Sequence, residues 1–198
     1  MMGLLAILIA YLLGAIPFGY LLTRLTTGKD VRSEGSGNIG ATNVLRAAGR
    51  GAGVATLVLD MAKGYAAVWI AGMLTDGSPG WMADAAVAVV LGHAFPIFLG
   101  FKGGKAVATF TGAFLYLTPI PALAGIIVFV ITVVVTRYIS AASILAAATF
   151  PFGLWLISHP IVNELLAALI AAAIVVYRHK ENMGRMRAGK EPVFRWGT

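Results

Sequence analysis

Stretches of about 20 apolar residues recur along this chain, and a soluble core cannot absorb so many of them. Spans are expected at about 3–23, 53–75, 83–100, 105–118, 121–137, 141–158 and 161–178. Lys and Arg are not scattered between them. They occupy Arg24 to Arg50, Phe101 to Lys105, the short stretch at Arg137 and the tail from Arg178. The alternate connections, Asp76 to Asp84, Thr118 to Pro121 and Ser158 to Pro160, carry none. Cytoplasmic loops of membrane proteins hold the excess of positive charge. The alternation therefore implies an all-α integral membrane protein of about seven transmembrane helices, with its N-terminus outside and its C-terminus in the cytoplasm. Asp76, Asp84 and Glu164 then fall on the outer side.

Only 12% of the 198 residues are charged and 59% are hydrophobic, which leaves no room for a separate soluble module. One polytopic domain over 1–198 is expected, with cytoplasmic motif segments at about 24–52, 101–105 and 178–198. A net charge of +7 would suggest nucleic acid in a soluble protein. Here the positive-inside rule and anionic lipid headgroups account for it, so no nucleic-acid partner is expected. The first span has no basic segment before it and no convincing cleavage site after it, so it reads as a retained helix rather than a signal peptide. The chain has no cysteine, which excludes disulfides, thiolate nucleophiles and Cys-ligated metals. No carboxylate cluster suits a metal, and no cofactor is expected. The fourth span is short: roughly 14 residues reach about 21 Å, less than a ~30 Å hydrocarbon core. Gly and Ala, as at Gly49, Gly53, Ala141, Ala142 and Ala171 to Ala173, predict close helix packing. Pro17, Pro96 and Pro151 predict kinks. No internal repeat supports an inverted-repeat transporter.

Three polar clusters lie on the basic side. The first runs Ser36-Gly37-Asn38-Ile39-Gly40-Ala41-Thr42-Asn43-Val44-Leu45-Arg46. Gly35, Gly37 and Gly40 formally match a dinucleotide fingerprint, but no strand precedes them and no βαβ unit surrounds them. What remains is flexible backbone leading into a short helix, a pattern that binds anions. On that helix Thr42 with Arg46, and Asn43 with Arg46 and Arg50, are spaced to share a face. The plainer alternative is a juxtamembrane loop that binds only lipid headgroups.

The second cluster is Gly92-His93-Ala94-Phe95-Pro96, followed by Gly100-Phe101-Lys102-Gly103-Gly104-Lys105. Its spacing is not that of a Walker loop, yet two glycines between cations let backbone N–H groups approach a phosphate. Lys105 reads as the ligand and Lys102 as a topological anchor; His93 reads first as a hydrogen-bonded structural residue. The third cluster is Arg178-His179-Lys180-Glu181-Asn182-Met183-Gly184-Arg185. A continuing helix would align Arg178, Asn182 and Arg185. A bare basic stop-transfer tail is the simpler reading, against which His179 and Asn182 argue. Within the second span Asp60 and Lys63 are i,i+3 and are either a functional pair or a brace.

In this order and on these spans, the clusters resemble the bacterial acyl-phosphate:glycerol-3-phosphate acyltransferase family. The matching stretches are SGNIGATNVLR, GHAFPIFLGFKGGKAVAT, RHKENMGR and LDMAKG, and together they cover nearly the whole chain. Ala106 departs from the pattern, where the family's second motif usually has another Gly. The resemblance implies a seven-helix enzyme of the bacterial cytoplasmic (inner) membrane, with its active site on the cytoplasmic side. It would move a fatty acyl group from acyl phosphate to the sn-1 hydroxyl of glycerol 3-phosphate, giving lysophosphatidic acid for phospholipid synthesis. The resemblance assigns Ser36, Asn38, Arg46 and His179 to catalysis. Thr42, Asn43, Gly103, Gly104, Lys105, Asn182 and Arg185 would bind substrate, with the glycines and Lys105 forming a phosphate loop. No metal is implied.

Direct transfer is the first expectation, with no acyl-enzyme, because no carboxylate–His relay to Ser36 is visible. Glu34, Glu181 and His179 are the candidate bases. An organic-anion or phosphate transporter, and a lipid-binding scaffold, are the rival classes. The partners expected are the two substrates and membrane lipid; oligomeric state is open.

Overall fold

The apolar runs fold into helices throughout the described residues, 1–194 of a computed structural model, with no strand among them. The last four residues of the expected 178–198 segment lie outside the described residues. In chain order the helices are α1 (Met2–Ala15), α2 (Phe18–Thr27), α3 (Ala41–Leu74), α4 (Pro79–Ala94) and α5 (Val107–Leu117). They continue with α6 (Pro119–Thr136), α7 (Ile139–Ser158), α8 (Val162–Arg178) and α9 (Lys180–Arg187).

Five stretches are long and apolar enough to cross a membrane: Met2–Thr27, Ala41–Leu74, Pro79–Leu99, Pro119–Thr136 and Ile139–Ser158. The pair α8 and α9, bent by 51° at His179, makes a sixth if counted as one span. Helix α5 has 11 residues and rises only about 16 Å, even shorter than expected of the fourth span.

Each proline acts where ring geometry requires. The first expected span is interrupted at Ile16 and Pro17, which separate α1 from α2. Helix α4 stops at Ala94, two residues before Pro96, because the residue preceding a proline is pushed out of the helical region. Pro151 is accommodated inside α7. One expectation about the basic segments needs correction. The helix expected after the first cluster is present, beginning at Ala41, but α3 does not keep one helical register: Gly49 sits at φ 85°, ψ 176°, so Asn43 and Arg46 do not share a face with Arg50.

Helix α4 is apolar on all sides and lies at the centre, against α1, α3, α5 and α8. Two helix pairs, α1 with α4 and α3 with α5, meet backbone to backbone. A Cβ on Gly14 of α1 would fall on the Val89 carbonyl of α4, and one on Gly92 would fall on the Tyr11 carbonyl. Between α3 and α5, Gly64 faces the Thr109 carbonyl and Gly112 the Met61 carbonyl in the same way. In lipid, where exclusion from water does not drive association, such close packing holds helices together. Helix α6 stands at the margin, packed on α7 and α5.

Candidate active site

The first motif is folded around one side chain. Asn43, on the first turn of α3, is buried, with 2% of its surface exposed. Its Oδ1 accepts the Ser36 N–H at 2.9 Å. Its Nδ2 donates among the carbonyls of Val31 at 3.1 Å, Glu34 at 2.9 Å and Asn38 at 2.9 Å. The loop can wrap this amide because Gly35 and Gly37 adopt positive φ, at 54° and 68°. Asn38 closes the loop by accepting the Gly40 N–H at 2.8 Å, so its amide nitrogen is the group left to offer inward. Ser36, Thr42 and Arg46 stand exposed around this scaffold.

The second motif is clamped from two sides. Gly104 donates its N–H to the His93 carbonyl at 3.1 Å. Arg178, at the end of α8, donates Nε to the Gly104 carbonyl at 3.0 Å and Nη2 to the Gly103 carbonyl at 2.6 Å. The expected alignment of Arg178 with Asn182 and Arg185 therefore fails; the chain bends at His179 and Arg178 turns to the glycine loop instead. Ala106, in the left-handed region at φ 59°, directs the chain from this loop into α5. Lys105 is left half-buried on the cavity wall.

The third motif is ordered by a residue the sequence did not single out. Glu191 accepts Asn182 Nδ2 at 2.6 Å and Arg185 Nε at 2.8 Å. The chain returns it there through Gly189, at φ 65°, with Lys190 N–H bonded to the Arg185 carbonyl at 2.8 Å. Burial opposes its ionisation, but hydrogen bonds from Asn182, Ser140 and Arg185 hold its carboxyl below the ordinary value. Because a carboxylate demands a donor, it fixes the Asn182 amide with Oδ1 on the other side, buried and without a hydrogen bond. His179 is buried and pushed down to about 4, chiefly by desolvation. Its Nδ1 lies 2.8 Å from the Val175 carbonyl and so carries the proton, leaving Nε2 as an acceptor. The imidazole is neutral at pH 7 and offers the cavity an acceptor rather than a positive charge.

These three segments line one cavity of about 890 Å³. Ser36, Asn38, Thr42, Asn43 and Arg46 come from the first, Lys105 from the second, and His179, Asn182, Arg185 and Glu191 from the third. Gly103 and Gly104 are not on its wall: their carbonyls belong to Arg178 and the Gly104 N–H to His93, so they shape the loop rather than line the cavity. The cavity continues as an apolar arm between α5, α6 and α7, walled by Phe110, Phe114, Ile126, Phe129, Ala147 and Phe150. Phe110, Phe114 and Phe150 are mutually packed, with ring centroids 4.7–5.1 Å apart. One end presents cations, amides and hydroxyls; the other presents mainly apolar side chains.

Comparison with known proteins agrees with this arrangement. The family model for glycerol-3-phosphate acyltransferase matches residues 4–189. A glycerol-3-phosphate acyltransferase of Geotalea daltonii is 47% identical over 94% of each chain. One of Nitrobacter winogradskyi is 47% identical over 96% of this chain and 94% of its own. The crystal structure of PlsY, an integral membrane glycerol 3-phosphate acyltransferase, in its glycerol 3-phosphate form superposes with a TM-score of 0.92. That chain is 40% identical, and the match covers 98% of this chain and 96% of that one. Its lysophosphatidic acid form gives a TM-score of 0.87 at 38% identity, over 98% and 95% of the two chains. The chain belongs to the glycerol-3-phosphate acyltransferase family.

Proposed function

We propose that this protein acylates glycerol 3-phosphate at its sn-1 hydroxyl, taking the acyl group from a fatty acyl phosphate and releasing lysophosphatidic acid and inorganic phosphate. The observation that carries the reading is the two-part cavity, whose cationic end and apolar arm match an acylated phosphate in shape and polarity. The donor reading has a second support. An acyl phosphate is a mixed anhydride that arrives activated, so it asks for no activated protein nucleophile, and no Ser–His–carboxylate relay stands among the described wall residues. Arg46, Lys105 and Arg185 neutralise the two phosphates, while Ser36 and the Asn38 amide stabilise charge on the carbonyl oxygen. The orphan Oδ1 of Asn182 is an acceptor suited to a glycerol hydroxyl.

In the proposed step the sn-1 oxygen attacks the acyl carbon, the carbon–oxygen bond to phosphate breaks, and phosphate departs with that electron pair. The hydroxyl proton passes to a phosphate oxygen of the substrates. His179, depressed to about 4, and Glu191, held low by its donors, are both weak bases at pH 7. A phosphate monoester, with a second pKa of about 6, is better matched. Seven crossings are proposed, counting α5 together with the buried extended segment before it, and α8 without α9. Irregular backbone is tolerated at membrane depth where protein covers it, and Gly103 and Gly104 are buried. The single polytopic domain then presents its motif segments at the cytoplasmic face of a bacterial inner membrane, with the N-terminus outside.

The assay supplies purified protein with glycerol 3-phosphate and either acyl phosphate or acyl-coenzyme A, and scores lysophosphatidic acid. Product from the thioester alone overturns the donor. Trapping an acylated protein during turnover overturns direct transfer. No product with either donor, alongside uptake of glycerol 3-phosphate into sealed vesicles, would favour a transporter.

A further inference from the structure

Four polar side chains lie buried among the packed helices. Asp60 and Lys63 of α3 are 3% and 5% exposed, His93 of α4 is 4% exposed, and Thr109 of α5 is fully buried. Lys63 Nζ sits 2.8 Å from Asp60 Oδ1 and donates to the Ile16 carbonyl at 2.8 Å, where the break before Pro17 has ended α1. That pairing alone neutralises the two charges. His93 is nevertheless placed beside them, with Nδ1 3.2 Å from Thr109 Oγ1 and 3.6 Å from Asp60 Oδ1. Asp60 and His93 both reach the cavity wall, whereas Lys63 does not.

The other edge of the His93 ring faces the glycine loop. A Cβ at Gly104 would fall on His93 Nε2, and one at Gly103 on the His93 carbonyl. With Arg178 holding the opposite side of the loop, the imidazole is one jaw of a clamp whose next residue is Lys105. Turning this ring would move the loop, because no space separates them. Asp60 and Thr109 are the groups that set its rotation.

We infer that Asp60, Thr109 and His93 form a positioning device for phosphate recognition, fixing the imidazole against Gly103 and Gly104 so that Lys105 is aimed into the cavity. The inference rests on the reading that Lys105 binds the phosphate of glycerol 3-phosphate. It gives a buried polar cluster between three helices a task that an apolar replacement could not perform, since buried ion pairs alone are weak stabilisers.

The test is a set of kinetic cycles on the purified full chain. His93→Asn keeps a polar atom toward Asp60 and Thr109 but lacks the ring edge on Gly104. It should raise KM for glycerol 3-phosphate about tenfold while kcat stays within about threefold. Thr109→Val, a milder change that serves if the first variant folds poorly, should raise KM about two- to threefold. Lys105→Ala should raise KM by itself, and adding either variant to it should raise KM no further, because residues acting through one group are not additive. Loss of kcat or of folded protein with KM unchanged would indicate a purely structural cluster and overturn the inference, as would KM effects that multiply. If Lys105→Ala raises KM and His93→Asn and Thr109→Val do not, the positioning role alone falls. If Lys105→Ala leaves KM unchanged, the phosphate role of Lys105 falls and the inference with it.

Discussion

Replacing Asn43 with alanine distinguishes a residue that binds substrate from one that builds the place where substrate binds. The side chain supplies one acceptor to Ser36 and two amide hydrogens shared by three carbonyls. Three hydrogen bonds at about 1 kcal/mol net each make about 3 kcal/mol of loop order, equivalent to roughly 150-fold in an equilibrium constant. Ser36 is held by its own backbone to this side chain, so the loss should appear at the reacting carbonyl. Misplacement by about 1 Å costs on the order of a hundredfold in rate. We expect Asn43→Ala to lower kcat about a hundredfold with a small change in KM for glycerol 3-phosphate. Asn43→Asp should be worse, since it keeps the acceptor for Ser36 but aims a carboxylate oxygen at three carbonyls. Steady-state assays on detergent-purified variants, with thermal unfolding to confirm folded protein, read both quantities. A kcat near that of the parent with KM raised at least tenfold would refute the scaffold argument and return Asn43 to the list of substrate ligands.

Three further outcomes follow from the same geometry. Gly112→Leu should abolish the folded state in detergent, because even a Cβ there meets the Met61 carbonyl of α3; a monodisperse, active variant would contradict the α3–α5 contact. The folded His179 takes its proton only at about 4, against 6.5 for the free side chain, so stability is full above pH 6.5 and is lost as pH falls toward 4. That loss amounts to about 3 kcal/mol at most, and His179→Gln should flatten the dependence of thermal unfolding over that window. Lys105→Ala removes a cation from the cavity wall and should raise KM for glycerol 3-phosphate about tenfold or more; an unchanged KM would sink the assignment.

The convergence of three remote segments was legible because each carried polar residues dense enough to stand out from an apolar chain. What they do once together was legible only in part, for reasons visible at particular residues. Helical spacing aligned Asn43 with Arg50 and Arg178 with Arg185, but one left-handed glycine at 49 and a bend at His179 reset both registers. Glu191 had no sequence signal to single it out, since only the reversal at Gly189 brings it back to Asn182 and Arg185. Gly103 and Gly104 read as anion-binding backbone, and periodicity gave no sign that Arg178 and His93 had claimed their polar groups. His93 was expected to be hydrogen-bonded, and its Nδ1 does lie 3.2 Å from Thr109 Oγ1.

An enzyme that joins a charged alcohol to a lipid must bring a hydrated anion and a hydrocarbon tail to one carbon atom. The walls of this cavity solve that by changing character along single segments rather than by apposing separate domains. The chain runs from Lys105 directly into α5, whose Phe110 and Phe114 face the apolar arm. Along α7, Ser140 and Ser143 lie on the polar side of Ala147 and Phe150, and along α3 Arg46 gives way to Leu57 and Met61. If α5 were extended by two helical turns toward its N-terminus, the residues at 100–106 would present helical backbone, with its N–H and C=O groups already paired, instead of a clamped loop. Lys105 would then leave the boundary between the two environments. The shortness of α5 therefore serves the proposed site: it lets a cation stand where the polar wall of the cavity meets its apolar arm.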